Sequence, residues 1–260
     1  MAPASFDLGR FRASLRTTTF GRTLIFEPSV GSTMDLARDA AAHGSPEGTV
    51  ALADEQTAGR GRLGRAWITP PAANLATTVL LRPALRLMRQ VAMIAPLAVC
   101  DAIEDVTRIR ADIKWPNDVQ IRGRKVAGIL IESDISDSAI AVVLVGTGIN
   151  VNFDPGQFDE IAMTATSLMA ETGGEVERER LLASYLLCFE RIYERATAGA
   201  SAHARWRERL VTLGRRVHAS WPGGEVDGVA EDVDGEGGLI VRGDSGAAVT
   251  VEAGDVTLRA

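Results

Sequence analysis

Lysine is almost missing from this 260-residue sequence: of 28 basic residues only Lys114 and Lys125 are lysines, and the others are arginines. The two side chains are not equivalent, because an ammonium is a compact point charge and a guanidinium a broad planar fork. Both lysines fall in one short stretch, which is where a compact cation would be required if the choice is functional. An arginine-favouring composition accounts for the scarcity equally well. Cysteine is as rare. Cys100 and Cys188 stand far apart in apolar helical patterns, and His43, His203 and His218 are scattered singly. With no CxxC pair and no His/Cys cluster, neither structural zinc nor a disulfide scaffold is expected, and free thiols suit a reducing cytoplasm. No apolar run is long enough to span a membrane, and the N terminus lacks a signal core, so a cytoplasmic protein without a membrane partner is expected. Aromatics reach only 5% and the formal net charge is −6. Base stacking and an overall basic field, the two usual routes to nucleic acid, are therefore both absent.

What is present is an ordinary globular composition, 46% hydrophobic and 24% charged, in a length that suits one large domain with a small appendage. A short Arg-rich helix is expected over residues 5–16 and a strand over 23–27, closed by Pro28. Ser32 or Thr33 can N-cap a helix to about residue 43, with Gly44 as its stop. Strands follow at 49–54 and 75–81, with a polar, Gly-rich loop over 55–65. A helical pattern runs over 85–107, where Pro96 should kink or split it. Short strands are expected at 112–114, 119–121 and 125–132, turned by Arg122-Gly123, and a central strand at 139–145. Leu181, Leu182, Tyr185, Leu186, Phe189, Ile192 and Tyr193 mark the buried stripe of a long helix, and a last helix covers about 202–213. From Arg215 the pattern changes to short strands broken by Gly-Gly, Asp-Gly and Gly-Asp turns, at 217–220, 225–233, 239–241, 248–251 and 256–258. The expected architecture is α+β, a mixed or antiparallel sheet with flanking helices over residues 1–213 (core about 20–213), followed by a small SH3-like β-barrel over 214–260.

The strongest local chemical signal is Gly59-Arg-Gly-Arg-Leu-Gly-Arg65. Glycines let backbone approach an anion, and three arginines offer forked donors to phosphate or carboxylate oxygens. Its letters match GxGxxG, but that dinucleotide motif needs a helix directly after it and an acid about 20 residues on. Here Trp67-Ile-Thr-Pro-Pro71 follows and position 84 is alanine, so the dinucleotide reading fails. No GxxxxGK[ST] segment exists. Taken alone, the loop is compatible both with an anion site and with a solvated loop that binds nothing. So charged a loop should be poorly ordered unless a polyanion neutralises it.

Lys114-Trp-Pro-Asn-Asp118 followed by Gly123-Arg-Lys-Val-Ala-Gly-Ile-Leu-Ile-Glu132 is long and unusual. With Gly31-Ser-Thr33, Asp54-Glu-Gln-Thr-Ala-Gly-Arg-Gly-Arg62, Trp67 and Gly146-Thr-Gly-Ile-Asn150, the chain closely resembles the biotin–protein ligases, in that family's order across residues 31–150. The resemblance implies a class II synthetase-like catalytic domain and a two-step reaction. Biotin and ATP give biotinyl-5′-AMP and pyrophosphate, and a lysine of the biotin carboxyl carrier protein of acetyl-CoA or related carboxylases takes the biotinyl group. Mg²⁺ would be carried with ATP, and no metal site of the protein's own is implied. By motif position, Ser32 and Thr33 would bind the ureido ring, and Met34, Gln56 and Gly128 would line the biotin pocket. Arg60, Gly61 and Arg62 would fold over the carboxylate and α-phosphate. Lys125 would touch both, which makes Lys125, Arg62 and Arg60 the catalytic candidates. Arg65, Trp67, Lys114, Asn117, Asp118 and Asn150 would serve the nucleotide.

Each residue also has a plainer reading: Ser32 and Thr33 as helix caps, Trp67 and Trp115 as packing aromatics, Asp118 and Asn150 as turn residues. One departure stands out, since Met34 occupies the place where the family usually has asparagine, and a thioether cannot donate the hydrogen bond an amide would. Competing functions are a lipoate or octanoate–protein ligase of the same fold, and a biotin-responsive DNA-binding repressor. The latter needs a winged helix of roughly 60 residues before the catalytic core, whereas about 30 precede Gly31. A monofunctional ligase without nucleic acid partner, monomeric or a weak ligand-linked homodimer, is expected.

Overall fold

The computed structural model describes residues 4–136 and 139–258. Seven strands form the larger sheet: β1 (Leu24–Val30), β2 (Val50–Gln56), β3 (Leu75–Leu81), β4 (Asp112–Lys114), β5 (Asp118–Ile121), β6 (Arg124–Ser136) and β7 (Ala139–Ile149). Their order is β1-β2-β3-β7-β6-β5-β4, and only the β1–β2 pair is parallel. Six helices accompany the sheet: α1 (Leu8–Ser14), α2 (Thr33–Ala42), α3 (Met88–Thr107), α4 (Leu168–Thr172), α5 (Arg178–Thr197) and α6 (His203–Glu208). No helix among the described residues is long and apolar enough to cross a membrane.

Strand side chains alternate between faces, and here the alternation sorts them by partner. Leu52, Val79, Val143 and Val145 join the main core with Ile94, Leu97 and Ile103 of α3 and Leu181, Tyr185 and Phe189 of α5. The intervening Ala51, Leu80 and Leu144 pack with Met34 and Ala37 of α2 in a separate cluster. The sheet is thus covered by α3 and α5 on one face and, over part of the other, by α2. A second, five-stranded antiparallel sheet follows: β8 (Arg216–Trp221), β9 (Gly224–Val233), β10 (Leu239–Gly243), β11 (Ala248–Val251) and β12 (Asp255–Leu258), ordered β11-β10-β9-β8-β12. It is fastened to the first by buried Trp115, whose Nε1 donates to the Gly237 carbonyl at 3.0 Å.

Several elements depart from the sequence expectation for local reasons. β1 runs through Pro28 to Val30, because it is an edge strand bonded only to β2 and has no ladder partner on its other side. Pro96 does not split α3, which remains one 20-residue helix entered through a tight turn at Leu85–Leu87. α6 stops at Glu208, short of the helical pattern. The Arg209 carbonyl instead accepts from Ile113 N–H and the Val211 N–H donates to the Ile113 carbonyl, so tertiary pairing to β4 outcompetes helix continuation. α4 has five residues, too few for a periodic signal, and is set by its Ser167 cap and left-handed Gly173.

The N-terminal segment is tied down by buried carboxylates. Asp54 accepts from Arg178 Nη1 at 2.7 Å and from Ser5 Oγ at 2.5 Å. Glu190, on α5, accepts the backbone N–H groups of Thr18, Thr19 and Phe20 at 2.6, 2.8 and 2.7 Å. Burial opposes charge on Glu190, but these donors outweigh it and hold the carboxyl below its ordinary value of 4.5. A folded value below the unfolded one means that this stabilisation is complete above 4.5 and disappears as pH falls through the lower folded value. Urea unfolding at pH 7 and pH 3.5 should therefore show a smaller acid-induced loss for Glu190→Gln than for wild type. An equal loss in both proteins would assign the acid sensitivity elsewhere.

Candidate active site

The face of the sheet that α2 leaves uncovered becomes a cavity of about 550 Å³. Its floor follows from strand register. Ala53, Ala76, Gly148, Gly128, Asp118 and Lys114 are successive cross-strand partners, so they project from one face in a single row. The middle of the row is alanine and glycine, and its far end carries a carboxylate and an ammonium. The parallel row Thr78, Gly146, Leu130 lies beside it. All fifteen residues selected from the sequence line this cavity, together with residues of β12 from the second sheet.

At one end is a neutral hydrogen-bonding corner. Ser32 caps α2 by accepting from Met34 N–H at 3.3 Å. The Thr33 N–H and Oγ1 both donate to Gln56 Oε1, at 2.8 and 3.0 Å, and Thr78 Oγ1 donates to Thr33 Oγ1 at 2.9 Å. The cap and the pocket readings of Ser32 and Thr33 are thus compatible, since the same helix entry faces the cavity. Gln56 has its oxygen occupied, which leaves its NH₂ as the donor end. Met34 is 3% exposed, and its sulfur packs where a Cβ on Gly146 would lie only 2.7 Å away.

The Arg-Gly loop folds back on itself. Trp67 N–H donates to the Gly59 carbonyl at 2.9 Å and Gly61 N–H to the Arg65 carbonyl at 2.7 Å, closing a small hairpin whose tip holds Leu63 and Gly64 at positive φ, 57° and 72°. The protein's own acceptors do the neutralising that the sequence reading left to an external polyanion. Arg60 forks onto Asp35 at 2.6 and 2.9 Å, and that hydrogen bond, against some desolvation, holds the Asp35 carboxyl below its usual range. Arg62 reaches Asn117 Oδ1 at 3.2 Å and the Gly254 carbonyl at 2.8 Å. Burial lowers the Arg62 pKa, countered by Asp255 and Asp118. Arg65 pairs with Asp255. Asp35 and Asp255 were not legible as site residues: the first is an unremarked acid in the opening turn of a helix, and the second is 190 residues from its partner.

Trp67 lies on the glycine floor. A Cβ on Gly148 would stand 2.3 Å from its Cε2, and one on Gly128 would stand 3.1 Å both from its Cζ3 and from Lys125 Cε. Its Nε1 is buried without a protein partner. Lys125 Nζ sits 5.4 Å from the Trp67 ring centroid and 2.6 Å from Asp118 Oδ1. Asn117 Nδ2 donates to the Ile129 carbonyl at 2.6 Å, so this residue braces Arg62 against β6. Asn150 is buried, with Nδ2 donating to the Thr166 carbonyl at 3.0 Å, which gives it a structural bond at the cavity wall. Trp115 is a core aromatic. The carboxylates lining the cavity, Asp118 and Asp255, are paired with Lys125 and Arg65. Among the described residues no group of three or more His, Cys, Asp or Glu is gathered to hold a metal ion.

The family described as Biotin/lipoate A/B protein ligase matches residues 27–150, and the Biotin protein ligase C terminal domain matches residues 212–259. The bifunctional ligase/repressor BirA of Bacillus subtilis is 35% identical over 249 residues, 94% of this chain and 77% of the relative. The biotin–[acetyl-CoA-carboxylase] ligase of Mycobacterium tuberculosis is 36% identical over 244 residues, 90% of this chain and 88% of the relative. Among solved structures, a biotin protein ligase from Aquifex aeolicus in complex with biotin and ATP superposes with a TM-score of 0.79 at 29% identity, covering 92% of this chain and 99% of that one.

The glycine floor generates a direct test. Gly148→Ala places a methyl group inside the present indole position, so Trp67 must leave the sheet, and acrylamide should quench a larger share of tryptophan emission. The increase should be absent when the same change is made in Trp67→Phe. Unchanged quenching by Gly148→Ala in the otherwise wild-type protein would mean that Trp67 does not rest on that strand.

Proposed function

The chain belongs to the biotin–protein ligase family, and on that premise we propose that its cavity is where biotin is activated by ATP and handed to a carrier protein. The enzyme is an ATP-dependent biotin–protein ligase, with biotin and ATP as substrates and biotinyl-5′-AMP as the activated acyl group. Its acceptor is a lysine of the biotin carboxyl carrier protein of acetyl-CoA or a related carboxylase. The observation that carries the reading is the meeting, in one cavity, of the neutral Ser32–Thr33–Gln56 corner with the cations Arg62, Lys114 and Lys125.

In the first step a carboxylate oxygen of biotin forms a bond to the α-phosphorus and the bond to pyrophosphate breaks. In the second, the carrier amine attacks the acyl carbon and AMP leaves. Both build negative charge on oxygens around one small volume, so fixed donors in a dry site stabilise the transition state more than the ground state. Lys125 brings an ammonium to the junction of carboxylate and phosphate, held by Asp118 and Trp67. Arg62, braced by Asn117, brings a second cation, and Arg60 a third once it leaves Asp35. The exposed Arg60–Asp35 pair is weak, on the order of 1 kcal/mol or less, so an incoming polyanion can displace it. Lys114, Arg65 and Asn150 belong to the nucleotide end. Mg²⁺ bound to the ATP phosphates would share their charge, and the carboxylates of the cavity that could face it, Asp118 and Asp255, are paired with Lys125 and Arg65. Trp67, over the glycine floor, excludes water from the reacting acyl group.

The corner also separates biotin from the acid used by a lipoate–protein ligase. A site with buried hydrogen-bonding groups rejects an analogue that leaves them unpaired by about 10⁴-fold or more, and an alkyl chain offers Thr33 and Gln56 nothing. Exchange of labelled pyrophosphate into ATP should therefore be driven by biotin and not by lipoate. Lys125→Ala should slow it about 10²–10³-fold. Exchange that is undiminished in Lys125→Ala removes that residue from the chemistry, and exchange driven equally by lipoate removes the biotin assignment.

A further inference from the structure

We propose that Glu171 is a positioning residue for Lys125, acting as one buried carboxylate that fixes the backbone on both sides of that lysine; this rests on the catalytic role given to Lys125 above. Lys125 occupies an irregular place in the sheet. β7 ends at Ile149, opposite Ala127, so the ladder on that side stops two residues before Lys125 is reached. On the β5 side the register shifts between Val119 and Gln120, so Lys125 opposes Gln120 beside a bulge. The last backbone bond on the β7 side is from Asn150 N–H to the Val126 carbonyl at 2.8 Å, so β7 does not hold the Lys125 backbone itself.

Residues 164–166 take over where β7 stops. Lys125 N–H donates to the Thr164 carbonyl, and Thr166 N–H donates to the Lys125 carbonyl, each at 2.8 Å. That segment is in turn held by Glu171 of α4, which accepts from Thr166 Oγ1 at 2.7 Å. The same carboxylate accepts from Arg124 Nη2 at 2.7 Å and from Arg122 Nη1 at 2.8 Å. Arg122 lies in the tight turn that feeds β6, where Arg122 and Gly123 both have positive φ, 49° and 79°. The Glu171 side chain is 1% exposed, whereas those of Arg122 and Arg124 are 73% and 47% exposed.

Three donors thus converge on one desolvated acceptor, two from the chain entering Lys125 and one from the segment paired to its backbone. Two arginines on the surface would each find water without this carboxylate. Their convergence costs side-chain freedom and burial of a charge, and what it secures is the register of the residue between them. Displacing a reacting group by about 1 Å can cost about 10²-fold in rate, so this register bears directly on Lys125 Nζ, while Asp118 holds only its tip.

The test is a double-mutant cycle read by biotin-dependent pyrophosphate exchange, with urea unfolding of each variant. Glu171→Ala should lower kcat about 10- to 100-fold with the KM for biotin changed less than about threefold, as for a group acting only in the transition state. Glu171→Gln, which keeps the acceptor oxygen and loses the charge, should recover part of that loss. In a Lys125→Ala background Glu171→Ala should cost less than about twofold, since coupled residues are non-additive. Thr166→Val, which preserves volume and removes one donor, gives a second reading should Glu171→Ala fail to fold, and should show the same split between kcat and KM. An unchanged kcat in folded Glu171→Ala, or an undiminished Glu171 effect on top of the Lys125→Ala loss, overturns the proposal alone. Full exchange by Lys125→Ala overturns the assignment of Lys125 and this proposal with it.

Discussion

Three glycines on one face of β6 and β7 are the constraint on which the cavity depends. Gly128, Gly146 and Gly148 remove side chains where the cover of α2 ends, so that Met34 of α2 can pack against the second and Trp67 against the first and third. The opposite faces of the same strands cannot make this concession, because Val145 and Ile149 belong to the main core under α3 and α5. A strand that packs Val145 and Ile149 into the core on one side and carries glycine at 146 and 148 on the other supplies both stability and room. Any Cβ on the bare side removes volume directly from the site, since a packed interior has no slack to absorb it.

The second constraint is electrostatic. The cavity concentrates positive charge, and three of its cations have a resident carboxylate partner: Asp35 for Arg60, Asp255 for Arg65, Asp118 for Lys125. The partners come from three separate elements, one of them in the second sheet, so the side chains of the loop are held by distant parts of the fold while its backbone closes on itself. The Arg60–Asp35 and Arg65–Asp255 pairs are the more exposed of these, and such pairs are weak and screened by salt. They order the loop without competing seriously with a triphosphate, which offers several charges to the same arginines at once.

How much of this was legible depended on whether the cause was local. α5 announced itself by the stripe from Leu181 to Tyr193, β3 by seven apolar or threonine residues, and the Arg122-Gly123 turn by its composition. An unusual segment carries its own specificity, and the fifteen residues chosen from the motifs all line one cavity. Non-local causes were invisible. Whether Pro28 ends a strand depends on which edge it occupies, and whether residues 209–211 continue a helix depends on β4 lying beside them. Nothing in the spacing ties Glu171 to Arg122 and Arg124, or Asp255 to Arg65. The loop from Gly59 to Arg65, expected to be poorly ordered unless a polyanion neutralises it, has carboxylate partners in Asp35 and Asp255, which are far away in the chain.

The scarcity of lysine can now be treated position by position. At Lys125 the available space is narrow: Gly128 lies against the side-chain end, the Trp67 ring centroid is 5.4 Å from Nζ, and Asp118 is 2.6 Å away. An ammonium fits such a space as a point, and its three donors can turn from Asp118 toward a carboxylate and a phosphate without moving the stem. A guanidinium would need a plane of clearance and would offer its donors in one fixed fork. In a chain that otherwise uses arginine throughout, geometry therefore gives Lys125 a reason to differ. Lys114 stands at the end of the same cross-strand row, beyond Asp118, where its charge reaches Asp255. It has no comparable confinement. The two lysines line one cavity from different strand rows, Lys114 opposite Asp118 and Lys125 opposite Gln120: shape as well as charge favours an ammonium at the second, and charge alone at the first.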